Sequence, residues 1–152
     1  MRLTKAQKSL IAGFIAAGIG FIFCVVSGFL EQDLLCNIFK VDPNDTYMFS
    51  AASAEIIFSF TIQFVFLGFI IIGAFIFSCL KREVRKTASV IVLVIYILVI
   101  IGYHYLSLRV AGGNENYMAK FGMIDDMLKI FTLSAQAGLL YGLARMRYED
   151  TE

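Results

Sequence analysis

The sequence predicts an all-α integral membrane protein: a bundle of four transmembrane helices, a single membrane domain over residues 1–152, with N- and C-termini cytoplasmic. Three observations carry that expectation. Four apolar stretches, about residues 9–30, 51–80, 87–108 and 124–144, fill most of the chain, and roughly 20 apolar residues in a helix suffice to cross a hydrocarbon core of about 30 Å. Hydrophobic residues make up 59% of the sequence, against roughly 45–50% in soluble domains. Most lysines and arginines flank the apolar stretches rather than interrupt them.

Span one follows a short segment holding Arg2, Lys5 and Lys8, an arrangement that superficially resembles a signal peptide. Its apolar run exceeds the usual h-region of about 7–15 residues and lacks a small-x-small cleavage pattern, so it reads as a mature first span. Gly13, Ala17, Gly20, Cys24 and Gly28, with Ser27 beside the last, recur at steps of three and four residues. Such a row makes a narrow smooth face where another helix approaches closely, within the bundle or between chains. Residues 31–50 then hold Glu31, Asp33, Asp42, Asp45 and the sole proline, Pro43, which describe a polar loop.

Span two is longer than a perpendicular crossing needs and should tilt or project. Residues 81–86 form an expected tight basic turn, in which Lys81, Arg82, Arg85 and Lys86 fix topology and can attract anionic lipid headgroups. Span three contains the run Val90 to Ile95, which in water would suggest a strand. Length and the bilayer's demand for internally satisfied backbone hydrogen bonds decide for a helix. Gly112-Gly113 and Asn114 to Asn116 mark the next loop, and span four is the least apolar.

The basic residues sort by side. Arg2, Lys5 and Lys8 precede span one, four occupy the turn between spans two and three, and Arg145 and Arg147 follow span four. The positive-inside tendency therefore places both termini in the cytoplasm. The first outer loop agrees, with four acids against Lys40 alone; Arg109 and Lys120 on the other outer loop dissent.

Ionisable groups within a membrane are expensive, which singles out Glu55, His104 and Lys129. Each lies four or five residues inside the outer end of its span, a depth of roughly 6–9 Å. A carboxylate, an imidazole and an ammonium in one layer would offset one another, with Asp125 one turn from Lys129. Glu55, Ser59 and Gln63 share a helical side, as do Asp125, Lys129, Thr132 and Gln136, so a polar track toward mid-membrane is conceivable. The plainer account has these side chains snorkelling to the interface, His104 within an aromatic belt with Tyr103 and Tyr105, and Gln63 and Gln136 bonding between helices.

Other chemistry is sparse. Cys24, Cys36 and Cys79 show no disulfide or zinc spacing, with Cys24 and Cys79 reading as packing residues and Cys36 as a loop thiol. No phosphate-binding glycine loop, H-E-x-x-H or G-x-S-x-G occurs, and no metal or cofactor is expected. A net charge of +1 gives no field toward nucleic acid. Three functions follow as expectations: a non-enzymatic accessory or scaffold subunit of a larger membrane complex, a small proton- or ion-linked transporter using Glu55, His104 and Lys129, or an integral enzyme acting on a lipid. The first is preferred, with membrane lipids and other membrane subunits, or a second copy, as partners.

Overall fold

The computed structural model describes residues 3–29, 46–110 and 122–148. These residues form four helices, α1 (Lys5–Phe29), α2 (Thr46–Ser78), α3 (Arg82–Val110) and α4 (Gly122–Tyr148), with no strand among them. Each helix is long and apolar enough to cross a membrane, and α4 is the least apolar. Cys36 and the expected loops at 31–45 and 112–116 lie outside the described residues.

The helices outrun the apolar stretches because their end residues cap or favour helix. The amide of Thr4 donates to Gln7 Oε1 at 3.0 Å and the amide of Gln7 donates to Thr4 Oγ1 at 3.2 Å. This reciprocal pair satisfies two otherwise unpaired donors and starts α1 four residues before Ser9. α2 ends where Cys79 and Leu80 donate back to Ile76 and Phe77, both at 3.1 Å, a tightened last turn. At 33 residues it is about 50 Å long.

The expected turn at 81–86 is corrected by the structure: α3 is already helical at Arg82. The amide of Arg85 donates to the Lys81 carbonyl at 2.9 Å, so the helical ladder begins at once. Arg, Glu and Lys are strong helix formers, and Glu83 suits the positive end of the helix dipole. Likewise α4 continues past Ala144 through Arg145 and Arg147, cations suited to a helix C-terminus.

The start of α1, the end of α2, the start of α3 and the end of α4 share one end of the bundle. Gln7 Nε2 donates to Cys79 Sγ at 3.5 Å, and Arg82 lines the same groove as Arg147. This is the basic end. The opposite end holds the last turn of α3 and the first turns of α2 and α4.

α1 is the axis of packing, lying against both α2 and α4. Gly13, Ala17, Gly20 and Cys24 are buried, and the row continues through Ser27; Gly28 is exposed. The row divides between two neighbours. A Cβ on Gly13 would lie 3.0 Å from the Ala135 carbonyl oxygen and 3.2 Å from Gly138 Cα, whereas a Cβ on Gly20 would lie 2.3 Å from the Phe64 ring. Ser9 Oγ donates to the Gly138 carbonyl at 2.9 Å, closing the same α1–α4 seam. Around it Leu10, Phe64, Ile71, Leu128, Leu139 and Met146 are fully enclosed.

Candidate functional site

Two regions collect polar chemistry. The first is the layer near the end of the bundle opposite the basic one. There the hydroxyls of Ser59 on α2 and Tyr103 on α3 hydrogen-bond at 2.9 Å. That bond fixes the register of the two helices: Glu55 stands one turn beyond Ser59, and His104 follows Tyr103. The side chains of Glu55, His104 and Asp125 lie outside the described residues.

Lys129 is exposed, whereas Thr132 is buried and donates its hydroxyl to the Leu128 carbonyl at 2.9 Å. The two residues differ by about 60° around the helix, enough to send one outward and the other inward. The Asp125, Lys129, Thr132 and Gln136 row therefore does not share one environment; Gln136 is half-buried, as is Gln63 on α2. Thr61 and Ser134 also donate to their own helices, to Ile57 at 2.7 Å and Ile130 at 2.8 Å. Hydroxyls bonded in this way donate within their own helix, and Thr61 also hydrogen-bonds with the Cys24 side chain on α1.

The second region is the basic end, where the four expected headgroup cations part company. Arg85 is enclosed by the bundle, only 2% exposed, although it follows Arg82 by three residues. Arg82 and Lys86 are exposed and line a groove of about 560 Å³ between α3 and α4, with Thr87, Val90 and Ile91 below them and Arg147 and Tyr148 opposite. Lys81 is exposed outside that lining. Arg145 turns to its own helix: its Nε donates to Tyr141 Oη at 2.9 Å, and its guanidinium lies 5.1 Å from that ring.

Sequence reasoning marked Arg82 and Lys86 but left out Arg147, Thr87 and Tyr148. The available signal was topological: an up-and-down bundle with its ends together must bring the end of α4 beside the start of α3. It likewise recognised the small row on α1 but missed its counterpart, Ala135, Gly138 and Gly142, spaced by three and four residues on α4. Comparison with protein-family models, curated proteins and solved structures finds no match for this chain.

Proposed function

We propose that the chain is a multi-pass membrane protein without catalysis of its own, an accessory or scaffold subunit whose basic end faces the cytoplasm. The observation that carries this reading is the combination of close helix–helix seams with an apolar exterior. The glycine seams of α1 let backbones meet directly, and large side chains such as Phe64, Leu128 and Met146 fill the remaining core. Outside, residues such as Ile22, Phe69, Leu98, Ile101 and Leu133 are more than half exposed, a surface suited to lipid and to other transmembrane helices.

Within this reading, the outward ridge of α3 is the partner-facing side, because that helix buries only Arg85, Ala88, Ser89, Val92 and Tyr96 among its residues of described burial. A photo-reactive residue placed at Leu98 or Ile101 should crosslink a stoichiometric membrane partner in native membranes. One placed at Cys24, buried at 1% exposure, should crosslink only within the chain. The expected result is a partner retained in fixed ratio through detergent extraction. Sustained transport or lipid turnover by the isolated chain in proteoliposomes, lost on Glu55→Gln, would overturn the reading.

A further inference from the structure

We propose that the groove between α3 and α4 at the basic end is a binding site for the phosphate headgroup of an anionic membrane lipid. Three cations from two helices converge on it: Arg82 and Lys86 from the start of α3, and Arg147 from the end of α4. Arg82, Lys86 and Val90 follow one another at four-residue steps and lie on one side of α3, with Ile91 on the neighbouring row. Each step descends about 6 Å along the axis. The wall therefore changes from cationic at the mouth to apolar below, where Val90 and Ile91 are 45% and 53% exposed.

That gradient selects the ligand. Guanidinium and ammonium groups recognise a phosphate, Arg through paired donors and Lys as a point charge. A free phosphate would use the mouth alone and leave the apolar wall uncovered. A phospholipid uses both, with its phosphodiester between Arg82, Lys86 and Arg147 and the first acyl carbons along Val90 and Ile91. The groove volume of about 560 Å³ accommodates a headgroup with the upper part of its chains. An anionic headgroup is preferred over a zwitterionic one because choline or ethanolamine would bring a further positive charge beside the Lys86 and Arg147 side chains that line the groove.

The inference rests on the membrane reading above, and the test separates the two. The full chain is reconstituted in phosphatidylcholine nanodiscs, where insertion itself checks the membrane reading. Retention of added phosphatidylglycerol is then titrated by native mass spectrometry. Lys86→Gln and Arg147→Gln should each weaken retention about tenfold or more, the loss of a direct hydrogen bond to a charged group. The matched variants Lys5→Gln and Lys81→Gln, which remove equal charge outside the groove, should leave retention unchanged. Lys86→Arg should restore it, separating recognition from a folding defect.

Equal losses from both pairs of variants would mean diffuse attraction and overturn the site. Equal retention of phosphatidylglycerol and phosphatidylcholine by the native chain would overturn it too. Displacement of the lipid by millimolar inorganic phosphate would assign the groove to a soluble ligand and contradict the lipid.

Discussion

Alanine at Gly138 is expected to destabilise the bundle by about 2–3 kcal/mol, the upper part of the range for overpacking a well-packed core. Its Cβ would stand 2.6 Å from Gly13 Cα, 2.8 Å from Gly13 N and 3.0 Å from the Ser9 carbonyl oxygen. All three are backbone atoms, so no rotamer change relieves the contact. The helices must separate, and the Ser9 Oγ to Gly138 carbonyl bond at 2.9 Å lengthens with them. Reversible unfolding in mixed micelles measures the loss.

Gly73→Ala is the control, because a Cβ there meets nothing within 4 Å. Relief of glycine's helix penalty should make that change neutral or stabilising by up to about 1 kcal/mol. A Gly138→Ala variant as stable as Gly73→Ala would mean that α1 and α4 do not approach as closely as the structure shows.

The second large effect is a coupling. Gly20→Ala would place a Cβ 2.3–2.8 Å from three atoms of the Phe64 ring, and that ring is 2% exposed with little room to swing. The substitution should cost about 1–3 kcal/mol. Unlike the Gly138 contact, this one involves a side chain, so a second substitution can remove it. Phe64→Ala alone should destabilise by leaving a cavity, although less than in a water-soluble core because lipid is as apolar as the ring. In that background Gly20→Ala should become neutral or mildly favourable, since its methyl now fills space. A double-mutant cycle should therefore show coupling of at least about 1 kcal/mol, and strict additivity would contradict the contact.

These two sites show what the sequence made legible. The four long apolar helices followed from composition and length, because a backbone in lipid would have few ways to satisfy itself other than a helix. The small row on α1 was legible through its period, but its division between α2 and α4 was not. That division depends on Phe64 reaching Gly20 and on the Gly138 backbone reaching Gly13, both contacts between distant segments. Helix ends were misjudged for a local reason. Hydropathy marks where a chain suits lipid, whereas Thr4, Gln7 and the charged run after Lys81 determine where the backbone is helical.

The polar residues were legible as chemistry and much less so as geometry. Depth along an axis follows from counting, and Ser59 and Tyr103 do meet at one level. Angle around the axis is less forgiving: Lys129 faces outward while Thr132 turns in. Among the cations, charge alone did not distinguish buried Arg85 from exposed Lys86. Packing of α3 against its neighbours made that distinction, and it also brought Arg147 across the groove.

Orientation of the basic end underlies both the proposed role and the lipid groove, and single-cysteine labelling in cells tests it most directly. With the native cysteines replaced by serine, Lys5→Cys, Lys81→Cys and Tyr148→Cys should all resist a membrane-impermeant maleimide in intact cells and react after permeabilisation. Asp45→Cys, in the expected outer loop, should react from outside in intact cells. Labelling of position 5 and position 148 from opposite sides, or recovery of the chain free of membranes and detergent, would contradict the account.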